Sequence, residues 1–387
     1  MDRIGVMTGG GHVSCFHDGL IGMFNESAGR YEIFGAIDGY KGANEGSYVQ
    51  LRQTYLVPHK AGSLLGSTRH RADGELLRTN MQKWDLKALV VMGGDDHLGE
   101  AAVLYERFGV PVVGWPKTMD GDLNSRVSLG EHTANSVGIE KLRKGYAHAV
   151  TNGKPVFYVM FGRDTDKTSA TVGTWGGADI IIPAEHEYRI GDVARMVRDA
   201  YERNGDEFPV RINGYKHRKP FAIVAVSEGA QIEELKKHLN PDQIDDYGHP
   251  KLNPHRLAVA LEEEFRKADP KLPVSFDIIT YDMRNADPTP LDARLAEEAG
   301  RECVRMIDDG AYGQSAVVTH DLRISRAPLH VVAEKQYMKP TGHMDYKRMA
   351  TTPYFAEDYG PIYGRQPTKE ELVNGLWLPE ETSLLVA

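Results

Sequence analysis

The sequence predicts an α/β protein built on doubly wound parallel sheets. Three observations lead there. Short apolar runs alternate with longer amphipathic stretches along most of the chain, the pattern of strands crossed over by helices on both faces of a sheet. The 387 residues suffice for two to three domains at roughly 150 residues each, or for one large α/β unit. Glycine turns and acidic loops follow the predicted strands, and such sheets bind ligands at the carboxyl ends of their strands.

Taken in order, Arg3–Thr8 reads as a strand running into glycines, with a helix over Ser14–Phe24. Glu32–Ile37 and Leu86–Met92 are strands, and Gly99–Phe108 sets Ala101, Ala102, Leu104 and Tyr105 at helical spacing. Val110–Trp115 is a strand, Thr133–Tyr146 a helix, Val156–Phe161 and Ile180–Ile182 strands, and Asp192–Arg203 a helix. Phe221–Val226 and Phe276–Thr280 are strands, separated by helical patterns at Ile232–Leu239 and His255–Lys267; Asp292–Asp308 is the last long helix. The strands are compact and rich in β-branched or aromatic residues, and most stop near Gly, Pro or Asp. Residues 204–220 and 240–254 are polar and read as surface loops. From about Pro340 the tail reads as irregular chain, with a short helix near Lys369–Asn374.

Composition narrows the function. Lys plus Arg is 46 and Asp plus Glu is 55, a formal charge of −9, which argues against a general nucleic-acid binder. No apolar run approaches the ~20 residues that span a bilayer, and the start has no signal-peptide core. Cys15 and Cys303 form neither a metal knuckle nor a disulfide framework. The expectation is a cytoplasmic protein. No HxxxH or HExxH pattern occurs, so zinc is not expected.

Three loops carry chemistry. Thr8-Gly9-Gly10-Gly11 lets backbone N–H groups approach phosphate oxygens at a strand-to-helix turn, and it also suits a plain tight corner. Gly93-Gly94-Asp95-Asp96-His97 adds two carboxylates beside such a turn, and carboxylate plus phosphate is a usual way to hold Mg²⁺; one Asp alone would read as a helix cap. In Pro116-Lys117-Thr118-Met119-Asp120-Gly121-Asp122, one carboxylate can take a proton from an attacking hydroxyl while the other orients it. Lys117 can neutralise charge on a transferring phosphoryl group. Their recurrence after neighbouring strands favours phosphoryl transfer over isolated turns.

On these residues the chain resembles the phosphofructokinase family, specifically its pyrophosphate-dependent branch. Thr8–Gly11 matches the family's first glycine turn. Gly62-Ser63-Leu64-Leu65-Gly66-Ser67-Thr68-Arg69 matches GSxLGSxR, Gly93–Asp95 matches GGD, and Pro116–Asp122 matches PxTxDxD. Phe161-Gly162-Arg163 matches MGR, and Glu228 in Val226–Gly229 matches the sugar-binding glutamate. Order and spacing agree over about residues 3–330.

The resemblance implies two doubly wound parallel-sheet domains, about 1–130 plus 285–335 and about 131–284 plus 336–387, with the active site in the interdomain cleft. It implies Mg²⁺-dependent transfer of phosphate to the 1-hydroxyl of fructose 6-phosphate. Asp120 would be the base, held near Asp122 and Thr118, and Asp95 the Mg²⁺ ligand. Gly10, Gly11 and Gly94 would cradle donor phosphates, with Arg69 and Lys117 countering charge on the transferred group. Phe161, Gly162, Arg163 and Glu228 would line the sugar. Asp96 and Lys117 stand where the ATP-using branch has glycines. A carboxylate at 96 repels a nucleotide's α-phosphate at short range, and a lysine at 117 balances a short donor, so pyrophosphate is expected.

The family's sugar-phosphate arginine from a neighbouring subunit falls on Lys154, which implies a homo-oligomer, dimer or tetramer. A second arginine falls near Ser275 and is absent, while Tyr281 and Arg284 resemble the Tyr-x-x-Arg used near the sugar phosphate. His12 replaces an aspartate, Ser14–His17 departs from the family, and His97 stands where Ser or Thr is common. Sedoheptulose 7-phosphate, another ketose phosphate or a polyol remains open as acceptor, and so do an ATP-dependent enzyme and a non-catalytic sugar-phosphate sensor.

Overall fold

The computed structural model describes residues 1–163, 165–212, 215–238, 244, 246–248, 252–334 and 342–374. Contacts divide the chain into two compact units. One comprises Met1–Ala134, Asp242–Lys251 and Tyr281–Gln336; the other comprises Asn135–Pro241, Leu252–Thr280 and Tyr337–Ala387. The expected divisions near 130 and 284 therefore fall at 134 and 280. Residues 242–251, expected with the second domain, group with the first.

The first unit holds a seven-stranded sheet in the order Ile324–Pro328, Gln314–Val318, Val112–Pro116, Leu86–Gly93, Asp2–Thr8, Tyr31–Ala36, Tyr48–Gln50. The inner five run parallel. The two outermost are antiparallel, a common way to finish a doubly wound sheet. Both faces are buried. Ile4, Val6, Val90 and Trp115 pack with Phe16, Leu20, Leu295 and Val304, whereas Met7, Leu89 and Val91 pack with Tyr40, Leu77 and Leu98. Period-2 alternation along each strand sends successive side chains to opposite cores. Buried Cys15 and Cys303 are free thiols in the first of these cores.

The helices Phe16–Ser27 and Pro290–Asp308 meet at backbone distance. A Cβ on Gly300 would lie 2.0 Å from the Gly19 carbonyl oxygen, and one on Gly22 would lie 2.0 Å from the Glu297 carbonyl oxygen. No rotamer change relieves a clash with backbone. Gly300→Ala is therefore expected to destabilise the protein by about 1–3 kcal/mol, read as a lower urea midpoint. An unchanged midpoint would mean the helices separate freely.

The second unit holds a four-stranded parallel sheet, in the order Ser275–Ile279, Pro155–Met160, Ala222–Ser227, Ile180–Ile182. Phe157, Val224 and Val226 pack there against Val193, Val197, Leu261 and Phe265 of the helices Ile190–Glu207 and Pro254–Ala268. The expected helix at Ile232–Leu239 is a 3₁₀ segment over Glu233–His238, with Leu235 its one buried residue; Leu239 lies outside the described residues. The 204–220 stretch opens with the end of a helix and contains two short antiparallel strands, Val210–Ile212 and Tyr215–His217. Most of 240–254 lies outside the described residues. The tail forms helices at Pro353–Tyr363 and Lys369–Asn374. The first, not expected, starts on Pro353, where a missing N–H costs nothing, and buries Phe355 and Tyr359 one turn apart. Among the described residues, no helix is long and apolar enough to cross a membrane.

Candidate active site

The parallel register sets the first unit's loops side by side. Thr8 pairs with Met92, and Met92 pairs with Trp115, so Gly9–Gly11, Gly94–Asp96 and Lys117–Asp122 all leave the carboxyl end of the sheet. Gly9 N–H donates to Met92 O at 2.9 Å, Gly10 N–H to Thr68 O at 2.9 Å, and Lys117 N–H to Gly93 O at 2.9 Å. These bonds tie the Gly66–Arg69 stretch into the same cluster. Gly10 has φ +78°, a left-handed conformation that glycine adopts without steric cost.

The helix expected over Gly99–Phe108 begins at Asp95, with Gly94 as its cap residue. Asp95 and Asp96 thus occupy its first turn, where carboxylates meet the positive end of the helix dipole. The helix after Gly9–Gly11 begins only at Phe16, so that turn offers backbone amides without a helix end directly behind it.

Lys117 is 3% exposed, and its Nζ donates to the Gly11 carbonyl at 2.7 Å. Burial, with the cations of Arg284 and Arg69, pushes its ammonium down to about 7, against the pull of Asp120 and Asp122. Thr118 Oγ1 accepts from the Asp120 N–H at 3.0 Å and fixes the turn that carries Asp120. Asp122 is buried; desolvation, with like charge from Asp95 and Asp120, pushes its carboxyl well above the ordinary value. Its Oδ1 has no hydrogen-bond partner among the described residues.

Arg284, expected at the sugar phosphate, stands against the glycine turn. It donates to His12 O at 3.1 Å, and a Cβ on Gly11 would lie 2.5 Å from its Nη1. Tyr281 is exposed and stacks on His12 with ring centroids 6.4 Å apart. His12 Nε2 lies 2.7 Å from Asn285 Oδ1. His17, in the departing segment, is buried and accepts the Val57 N–H at 3.0 Å. That segment anchors the neighbouring loop.

In the second unit, Met160 pairs with Ser227. Phe161–Arg163 and Glu228 therefore leave adjacent strand ends together. Glu228 N–H donates to Met160 O at 2.7 Å, and Ser227 Oγ donates to Gly162 O. A Cβ on Gly229 would lie 1.9 Å from Arg163 O, so only glycine lets the two loops meet. Lys154 lies elsewhere. It precedes Pro155–Met160, at the opposite end of the strand, about 20 Å along at 3.3 Å per residue. Ser275 pairs with Val156 at that same far end. Lys154 does not join Phe161, Gly162, Arg163 and Glu228 within one chain.

In sequence His97 is only a departure from the family pattern, yet its ring is central. A Cβ on Gly9 would lie 2.1 Å from it, its Nε2 sits 3.1 Å from Thr68 O, and it stacks on Tyr40 at 5.4 Å with planes 4° apart. Burial first, then Lys117, pushes it down to about 3. It is a neutral wedge behind the glycine turn. The only local sign was a histidine at an uncommon position.

Among the described residues no group of three His, Cys, Asp or Glu side chains is arranged to hold a metal. The donor set does fit a hard cation. Asp95 is half-buried in the helix's first turn, and the unpartnered Asp122 Oδ1 is buried close enough to feel its charge. Mg²⁺ takes one or two carboxylates with phosphate oxygens.

A profile described as Phosphofructokinase matches residues 3–307. The chain is 26% identical over 338 residues to a pyrophosphate–fructose 6-phosphate 1-phosphotransferase of Streptomyces coelicolor, covering 84% of this chain and 93% of that one. It is 28% identical over 322 residues to ATP-dependent 6-phosphofructokinase 2 of the same organism, covering 81% and 89%. The crystal structure of a pyrophosphate-dependent phosphofructokinase from Nitrosospira multiformis matches with a TM-score of 0.76, over 99% of this chain and 95% of that chain, at 15% identity. That last likeness is one of fold. The glycine turn, the two acidic loops and the paired strand ends all fall inside the matched span, and the chain belongs to the phosphofructokinase family.

Proposed function

We propose that the protein catalyses reversible, Mg²⁺-dependent transfer of phosphate from pyrophosphate to the 1-hydroxyl of fructose 6-phosphate. The observation that carries the choice of donor is the charge at the glycine turn. Lys117 is buried with its Nζ on Gly11 O, and Asp96 lies in the first turn of the adjoining helix. A compact polyanion suits the enclosed cation. A longer donor would bring its α-phosphate against Asp96.

In this reading Asp120 accepts the proton of the 1-hydroxyl as its oxygen attacks the nearer phosphorus, and the bond to the departing phosphate breaks. Gly10, Gly11 and Gly94 offer backbone amides to the donor, and Arg69 and Lys117 oppose the charge that develops on it. Thr118 holds the Asp120 turn. Asp95, with Asp122 nearby, would hold Mg²⁺, which when bound supplies charge neutralisation at the phosphate oxygens. Phe161, Gly162, Arg163 and Glu228 line the sugar. Arg284, beside Gly11, serves the phosphates of this unit, with Tyr281 next to it. Lys154, remote from its own chain's sugar residues, serves a neighbouring copy in a homo-oligomer.

A coupled assay crossing pyrophosphate and ATP with fructose 6-phosphate, sedoheptulose 7-phosphate and free polyols tests this. Turnover with pyrophosphate and fructose 6-phosphate is expected. Pyrophosphate turnover with another acceptor alone would move the error to the sugar residues. ATP turnover alone would overturn the donor, and no turnover would leave a sugar-phosphate sensor.

A further inference from the structure

The segment Asp246–Gly248 groups with the first unit, although it is surrounded in sequence by residues of the second. Its Tyr247 is held from four directions. The hydroxyl lies 3.1 Å from His70 O and 2.9 Å from Glu100 Oε2, two acceptors that share its one proton. The ring lies 5.5 Å from the His97 ring and 5.1 Å beneath the Arg71 guanidinium. Arg71 also donates to the Asp246 carbonyl at 2.9 Å.

Those partners define a direction. Asp96 and Glu100 lie four residues apart on one face of the helix Asp95–Phe108, about 6 Å along its axis. His70 and Arg71 follow Arg69 directly. In the reading proposed above, Asp96 and Arg69 both stand at the donor phosphates, and each is followed along its own segment by partners of Tyr247, Glu100 on the helix and His70 and Arg71 on the chain. A donor in this site must present its transferred phosphorus towards Asp120, so whatever lies beyond its second phosphate extends past Asp96, towards Glu100. Burial, with the charges of Glu100 and Asp96, raises the Tyr247 hydroxyl above its ordinary value, which keeps it a neutral donor.

We propose that Tyr247 is a specificity-determining residue, whose ring, fixed between His97 and Glu100, fills the space that the ribose and base of a nucleoside triphosphate would need. The proposal rests on the pyrophosphate reading above and adds a steric term to the charge of Asp96. Excluding the wrong donor by occupying its place leaves the two-phosphate donor untouched.

Steady-state kinetics of Tyr247→Ala, Tyr247→Leu and Tyr247→Phe test it, with Mg-ATP as probe, both as donor and as inhibitor against pyrophosphate. In Tyr247→Ala and Tyr247→Leu, kcat/KM for pyrophosphate is expected to stay within a few-fold of wild type, while the ATP inhibition constant falls by about tenfold or more. Tyr247→Phe keeps the ring and is expected to keep ATP out. Unchanged ATP inhibition in Tyr247→Ala and Tyr247→Leu, with pyrophosphate turnover intact, would overturn the proposal and leave the donor reading standing. Loss of pyrophosphate turnover in both would also overturn it, because Tyr247 would then be supporting the phosphates' own site. Turnover of ATP by the unaltered protein would overturn the donor reading itself.

Discussion

Asp120→Asn is expected to lower kcat by roughly 10²–10⁴-fold, with KM for both substrates within a few-fold of wild type. The amide matches the carboxylate in size and keeps the backbone bond in which Asp120 N–H donates to Thr118 Oγ1. It has no lone pair basic enough to take the hydroxyl proton. In the proposed site the loss therefore falls on the chemical step rather than on binding, since the donor is assigned to Gly10, Gly11, Arg69 and Lys117. Asp122 cannot substitute. It is buried beside Asp95 and, in the proposed site, is taken up on the metal's side, whereas Asp120 is half-buried at the turn. Single-turnover measurement with saturating pyrophosphate separates the two effects. A near-normal rate would remove Asp120 as the base, and a raised KM with unchanged kcat would make it a binding group.

Most of the central strands were legible because they are short, largely buried apolar runs, such as Leu86–Gly93 and Pro155–Met160; Gln314–Val318, which opens on Gln and Ser and is only partly buried, was not. The edge strands of the first unit's sheet were not. Ile324–Pro328 has no buried residue and ends in proline, and Tyr48–Gln50 has one buried residue in three. Lys167–Gly176 was missed for a different reason. Its Thr, Ser, Val and Gly residues are poor helix formers, yet nine of its ten residues are buried, so tertiary packing outweighs propensity. Gly74–Lys83 had a readable signal in Asp73, whose side chain accepts from the N–H groups of Glu75 and Leu76. The glycine turn and acidic loops were legible because their spacing is local. The roles of His97 and Tyr247 were not, because they depend on contacts across as many as 177 positions of sequence, which no local pattern encodes.

Lys117→Met is expected to lower kcat/KM for pyrophosphate by about 10²–10³-fold, the loss typical of removing one partner of an enclosed charge pair. The sugar's KM is expected to change little. The side chain is the most enclosed cation at the glycine turn, with its ammonium held down at about 7 rather than 10.5. The free enzyme therefore loses this charge as pH rises through about 7. In the unaltered protein, kcat/KM for pyrophosphate should fall on the alkaline side with an apparent pKa near that value. The bound polyanion favours the charged form, so kcat itself should hold to higher pH. Stability carries the opposite sign. Between about 7 and 10.5 the unfolded chain keeps a proton that the folded chain releases, so this group makes the fold more stable as pH rises through that window. Thermal shifts with Mg-pyrophosphate should accordingly be larger at pH 6.5 than at pH 8.5. Lys117→Met should lose the alkaline limb together with the affinity. A limb that persists in Lys117→Met would assign it to another group and leave Lys117 a packing residue beneath Gly11.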